Sequence, residues 1–275
     1  MVIRYDSPLN LLVSTKGHPF DRGAFSDMFD AMRGMTWTHI EQPATAALLS
    51  PEGCADFGAL LFYDVPGLQF RTPEPPALVD PPEAMKAGFT ALLDAGKPMI
   101  FLHHAMAGWP TWDTYAEAIG ARFFYQPGTY KGRDYPDCGY LFPATYRAKV
   151  LGEHPVTSGL GDGFEVTDEL YLFEMLEEGD DLVPLLAADH AFTMDRFYSA
   201  KNALEARMWT RDGWVHGPGT NLVAWAKRSG NAPTVTIQMG NDGKTFGNEA
   251  FRTLVRNAID WVTGDAAARW AKKTT

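Results

Sequence analysis

Two short runs, Phe57–Tyr63 and Met99–Leu102, are apolar at almost every position. A strand with one face in water alternates polar and apolar residues, whereas a continuous apolar run needs cover on both faces. That texture belongs to a parallel sheet between two helix layers, and it constrains the rest of the reading. The second run is the more informative, because PMIFLHHAMAGW (Pro98–Trp109) passes from the strand directly into two adjacent histidines and a turn.

The neighbouring segments supply the layers. A first strand is predicted at Leu9–Val13, then a glycine- and proline-containing loop, an N-cap at Asp21 and a helix burying Phe25, Met28, Phe29 and Met32 at helical spacing. Thr36–Glu41 reads as strand and Ala44–Leu49 as a short helix, while the proline-rich stretch from Asp64 to Pro82 reads as a long loop. A helix then places Met85, Phe89, Leu92 and Leu93 inward and stops near Gly96; another follows the histidines from about Trp112 to Ile119, closed by Gly120. Alternating strands and helices of this kind predict an α/β, doubly wound, mostly parallel sheet with helices on both faces.

Residues Arg122–Val150 are irregular and β-rich, which predicts strands or a hairpin near the cleft. A further strand is expected around Leu182–Ala187, with the last two at Leu222–Ala226 and Thr234–Met239. A closing amphipathic helix carries Phe251, Leu254, Val255, Ala258 and Val262 on one face. The polar and aromatic segment 188–219, with a helix expected around Ser199 to Met208, reads as an insertion or lid. One domain over residues 1–275 accommodates all of this.

Charge and cysteine usage exclude several functions. A formal net charge of -10 without a basic run disfavours nucleic acid, whose affinity rests on clustered Lys and Arg. No apolar run approaches membrane-spanning length and no leader is apparent, so a cytoplasmic protein is expected. Cys54 and Cys138, far apart, suggest neither a disulfide framework nor a zinc ribbon. Neither cysteine follows an apolar strand at a sharp turn, and no serine lies in a GxSxG setting, so a thiol or serine nucleophile finds no support.

Ligands of doubly wound sheets bind outside the carboxyl ends of the strands. His103 and His104 fall there, and His18 falls in the corresponding loop after the first strand. Successive strand residues point to opposite faces, so at most one of the pair faces a pocket unless the turn re-aims the other. His104 is assigned to the pocket, while His103 braces the turn beside it. His104 and His18 are the proton-transfer candidates. Glu169, in VTDELYLF, is their expected carboxylate partner, although Asp168 and Glu169 would serve equally as a charged edge or helix start. GLGDG at Gly159–Gly163 lacks the setting of a dinucleotide loop, whereas GNDGKTFGNEAF from Gly240, between a strand and a helix, has exposed amides suited to an anionic or hydroxyl-rich ligand, although a plain strand-to-helix turn explains it nearly as well. His103, Trp109, Tyr171, Asn241 and Asp242 complete the expected substrate-binding set, the aromatics by stacking on a ring. Trp112 is a further stacking candidate. Imidazole and carboxylate together suit a divalent metal such as zinc or manganese, but the spacing names none.

GHPF at His18, FLHHAMAGW, HPVTSGL from His154, DELY from Asp168 and the Gly-Asn-Asp turn, in this order, resemble the ThuA-like (trehalose utilisation) family of the class-I glutamine amidotransferase-like superfamily. The resemblance implies a flavodoxin-like fold and a role in carbohydrate catabolism, on a sugar or keto-sugar. It leaves open a lyase, hydrolase or isomerase. The related amidotransferases present a cysteine nucleophile at the turn where this chain has His103, His104 and Ala105, so cysteine-dependent glutamine hydrolysis is not expected. Many relatives have Gly-His-Asp where Asn241 stands here, and segment 188–219 is longer and more aromatic than in the family. A non-catalytic small-ligand-binding or assembly domain is the alternative reading. The expected partners are a small carbohydrate-like molecule and, because symmetric oligomers are common among soluble enzymes, other copies of the chain.

Overall fold

The computed structural model describes residues 7–69 and 75–272. The first half repeats a strand–helix unit. β1 (Asn10–Lys16) leads to α1 (Arg22–Asp30), whose N-cap Asp21 accepts a hydrogen bond from the Ala24 amide at 2.9 Å. Phe25, Met28 and Phe29 form its buried face. Met32 is buried as well, but beyond the helix end. β2 (Thr36–Glu41), α2 (Ala44–Leu48) and β3 (Ala59–Asp64) follow. The expected proline-rich loop carries a small hairpin, β4 (Leu68–Gln69) with β5 (Ala77–Leu78), and its residues 70–74 lie outside the described ones. α3 (Glu83–Asp94), β6 (Met99–Leu102) and α4 (Asp113–Ile119) come next, and α4 stops at Gly120, which takes the left-handed conformation with φ +86°.

The second half is richer in β structure. The hairpin β7 (Gly128–Tyr130) and β8 (Arg133–Tyr135) precedes the long strands β9 (Gly139–Val150) and β10 (Gly163–Leu172). β11 (Leu182–Ala188), the short β12 (Tyr198–Ser199) and α5 (Ala200–Leu204) lead to β13 (Leu222–Ser229) and β14 (Ala232–Ile237). α6 (Gly243–Gly247), α7 (Glu249–Val262) and α8 (Asp265–Ala271) finish the chain. The amphipathic helix expected to close the domain is α7, and α8 packs after it.

The main sheet has the order β10-β9-β11-β13-β14-β6-β3-β1-β2, with β12 paired to β9. Seven of the nine strands on that path run the same way; only β9 and β13 are reversed, which makes the flank beyond β14 antiparallel in its pairings. The fold is thus flavodoxin-like, a mixed and mostly parallel sheet with an antiparallel extension.

Both faces of the central strands are dry. Ile100 and Leu102 of β6 join Leu11 and Val13 in a core with Phe25, Phe251 and Leu254, whereas Met99 and Phe101 join Leu12, Phe89 and Tyr115 on the other side. Burying each such side chain stabilises the fold by about 1.5–3 kcal/mol. This double burial explains the uninterrupted apolar texture of β3 and β6.

Gly17, just after β1, has φ +96°, and a Cβ there would fall inside contact distance of the Val65 carbonyl. Val65 is itself pinned, its amide donating to the Lys16 carbonyl at 2.7 Å. Gly17→Ala is therefore expected to cost about 2–3 kcal/mol of stability and to displace the adjoining His18. Chemical denaturation of the two proteins measures this, and an unchanged midpoint would contradict it.

Candidate functional site

β6 ends in a 3-10 turn over His103–Ala107, and His103 takes φ +38° to make it. That is a strained conformation for a residue with a Cβ, and such strain concentrates where a side chain must be aimed. The turn therefore re-aims the pair instead of continuing the strand alternation. His104 lines a cavity of about 500 Å³ at the carboxyl ends of β1, β6 and β14, whereas His103 lies fully buried behind the wall.

His103 is held at both ring nitrogens. Nδ1 meets the Gln238 carbonyl oxygen, and Nε2 lies 3.2 Å from Glu169 Oε2 and 3.0 Å from the Tyr171 hydroxyl. Burial works against its charged form, but the Glu169 hydrogen bond and the charges of Asp168 and Glu169 outweigh this and raise its pKa above the ordinary value. With both nitrogens facing acceptors, His103 is suited to the imidazolium form.

His104 is the opposite case. Burial, followed by the charges of His103 and His18, pushes its pKa well below the ordinary value, although an interaction with Asn241 partly offsets this. Nε2 lies 3.3 Å from Asn241 Oδ1, and Nδ1 is buried without a partner among the described residues. The His104 ring packs 4.4 Å from that of His18, 4.7 Å from His103 and 4.6 Å from Tyr63, centroid to centroid. His18 donates from Nδ1 to the Pro19 carbonyl at 2.9 Å, which leaves Nε2 as its uncommitted nitrogen.

Asp168, fully buried in β10, organises the opposite lip. Its two oxygens accept the amides of Gly240 at 2.6 Å, Asn241 at 3.0 Å and Glu169 at 2.9 Å. Burial raises its pKa even against the favourable His103 charge and those amides. Tyr63 donates to the Gly240 carbonyl at 2.7 Å, so the turn that presents Asn241 is gripped from two strands.

The structure brings His18, His104, Glu169, Tyr171 and Asn241 together around one cavity. It redistributes other expected roles. Glu169 bonds to His103, not to His104 or His18, because the 3-10 turn swings His103 toward β10. Asp168 and Glu169 lie within β10 at a register shift, neither at a helix start nor as an exposed pair. Trp109 does not line the cavity: it is buried in the apolar layer with Phe89 and Trp112, its amide donating to Pro66. Trp112 stacks on Tyr115 in the same layer. Asp242 caps α6 by accepting the amides of Lys244 and Thr245, and is likewise absent from the lining. His103 is likewise absent from the lining and lies buried behind the wall.

Several lining residues had no local signature. Phe123, Tyr125, Tyr140 and Phe142 arrive from the irregular segment before and within β9, and Leu204, Met208 and Trp209 from the segment read as an insertion or lid. Gln238, whose side chain accepts the Tyr171 amide while its carbonyl faces His103, sits just past β14 and looks unremarkable in sequence. Cys54 and Cys138 are buried and outside the lining, and burial pushes both thiol pKa values up.

A metal centre does not fit these side chains. Among the described residues no three His, Cys, Asp or Glu groups converge to hold an ion, and both His103 nitrogens already face acceptors. The zinc or manganese suggested by the residue types therefore lacks a donor set.

A family model described as ThuA, trehalose utilisation, matches residues 23–262. The chain belongs to the ThuA family. Solved structures agree on the fold. A ThuA-like protein from Bacteroides uniformis superposes with a TM-score of 0.61 at 16% identity, covering 95% of this chain and 94% of that one. A ThuA-like protein from Parabacteroides merdae gives 0.63 at 12% identity, covering 93% and 90%. PurLQS from Thermotoga maritima gives 0.50 at 10% identity, covering 92% and 98%. A search of curated protein sequences finds no match. Among the described residues of this ThuA-family chain, no helix is long and apolar enough to cross a membrane.

The His103–Glu169 pair gives a signed pH prediction. Because the folded-state pKa of His103 lies above its ordinary 6.5, its contribution to stability is fully present below about pH 6.5 and is lost as pH rises through the folded value. Glu169→Gln is expected to cost about 1.5–3 kcal/mol at the acid end of that window, as for a hydrogen bond to a charged group, and less above it. Urea unfolding of both proteins between pH 6 and 9 tests this; a pH-independent difference would contradict it.

Proposed function

We propose that this ThuA-family protein is an enzyme of carbohydrate catabolism acting on a sugar or keto-sugar through proton transfer. The observation that carries the reading is the uneven lining of one cavity. His18, His104, Glu169 and Asn241 supply charged, imidazole and amide groups, while Phe123, Tyr125, Tyr140, Phe142, Tyr171 and Trp209 supply aromatic faces. A pyranose has the matching character, with hydroxyls around its edge and apolar C–H faces that lie well against aromatic rings.

Each polar group has a role suited to its environment. His104 is held neutral by burial, and its unpartnered Nδ1 is the base that takes a proton from a substrate hydroxyl. His18, with Nδ1 committed to Pro19, offers Nε2 to receive a proton. Glu169 faces the cavity while bonded to His103, so its carboxylate stands as a second proton acceptor, held in orientation by the imidazole behind it. Such a set suits proton abstraction beside a carbonyl, a step shared by lyases and isomerases of keto-sugars.

Cysteine-dependent amide hydrolysis finds no support, since both thiols are buried away from the cavity. The expected localisation in the cytoplasm and self-association remain parts of this proposal.

The test is a turnover screen of oxidised and unoxidised sugars with the wild-type protein and His104→Ala. Turnover of a keto-sugar is expected, and the variant should lose about 10²–10⁴-fold in kcat/KM, the range for an acid–base group. Binding of a sugar without turnover would favour a non-catalytic ligand-binding domain. Neither binding nor turnover of any sugar would overturn the carbohydrate reading.

A further inference from the structure

The cavity differs from one wall to the next. Its hydrogen-bonding groups sit at the strand ends, whereas the wall from α5 and the turn after it contributes Ala200, Ala203, Leu204, Met208 and Trp209, without a charged or amide side chain. Met208 and Trp209 are also 51% and 50% exposed, adjacent large apolar side chains left in water beside a cavity. Exposed apolar surface of this kind marks a place where a ligand or partner supplies the missing cover.

This wall is held in place. Ser199 and the Lys201 amide both bond to the buried Asp137 carboxylate, at 2.6 and 3.0 Å, which anchors the start of α5. After α5, Ala206 and Trp209 adopt left-handed φ values of +61° and +60°. The Trp209 amide donates to the Tyr140 hydroxyl at 2.8 Å, and the indole packs 5.2 Å from the Tyr140 ring and 5.6 Å from Tyr198. Two strained residues and a buried anchor keep a half-exposed indole at the rim.

We propose that the substrate is amphipathic: a hydroxyl-rich ring at the strand ends, joined to a flat apolar group that lies on Trp209 and Met208, as in an aryl glycoside. The inference rests on the carbohydrate reading and deepens it. A second sugar ring fits this wall poorly, because its many hydroxyls would face a surface that is mostly apolar. The Tyr140 hydroxyl accepts the Trp209 amide and faces the Met208 sulfur, and apart from the Trp209 indole the side chains of α5 and the turn after it are aliphatic or thioether. An aromatic aglycone loses nothing on leaving water and gains the face of the indole.

Calorimetric titration with methyl and phenyl glucosides, their ring-oxidised keto forms and a glucose disaccharide tests this on wild type, Trp209→Ala and Trp209→Phe. The phenyl ligands should bind about tenfold more tightly than their methyl counterparts, from added apolar burial and ring stacking. In Trp209→Ala that ratio should fall toward one, and Trp209→Phe, which retains a ring, should keep most of it. Thermal melting verifies that the variants fold, and the Phe variant provides the readout if the Ala variant does not. A disaccharide that binds as tightly as the phenyl ligand, or a phenyl preference that survives Trp209→Ala, overturns the inference and leaves the carbohydrate reading standing. Absence of binding by every sugar-bearing ligand overturns both.

Discussion

A single buried carboxylate ties the two halves of the sheet together at the site. Asp168 comes from β10 at one edge of the sheet order, yet it accepts the amides of Gly240 and Asn241 just past β14, in the middle. Neither amide has a helix or strand partner of its own there, and a buried N–H left without an acceptor costs about 1–3 kcal/mol. Asp168 thus serves as an internal cap. It sets where Asn241 stands, and Asn241 in turn meets His104.

The imidazoles show how one local sequence acquires two opposed chemistries. His103 and His104 are neighbours in the chain and both are buried, so desolvation disfavours the charge on each. Only His103 reaches a carboxylate, and its partners overcome the desolvation. His104 finds Asn241 and two other imidazoles instead, so nothing offsets the burial sufficiently. A charged ring behind the wall and a neutral one within it are the consequence, and the like charge of the first reinforces the neutrality of the second.

Much of the framework was legible because it depends on local pattern. β2 and β6 begin and end where their residue texture predicted, Asp21 caps α1, Gly120 ends α4, and the apolar face of α7 is the one its spacing indicated. The convergence of His18 with His104 also followed from topology, since both close strands at the same edge of a parallel sheet. Trp109, Asp242 and the Glu169 partnership were not legible. Trp109 sits in the right turn but points into the apolar layer, Asp242 is consumed by the helix it starts, and strand alternation stops applying once His103 adopts a left-handed φ.

The sequence by itself determined the sheet, its helix layers and the strand end at which polar residues gather, because burial and periodicity are properties of neighbouring residues. Only the tertiary structure decided which histidine faces the cavity and which becomes charged. Those outcomes depend on contacts 66 residues away for His103 with Glu169 and 137 for His104 with Asn241. The apolar wall around Trp209 belongs to the same class. Its composition was visible in the chain, but its place beside the histidines required the sheet to close around it.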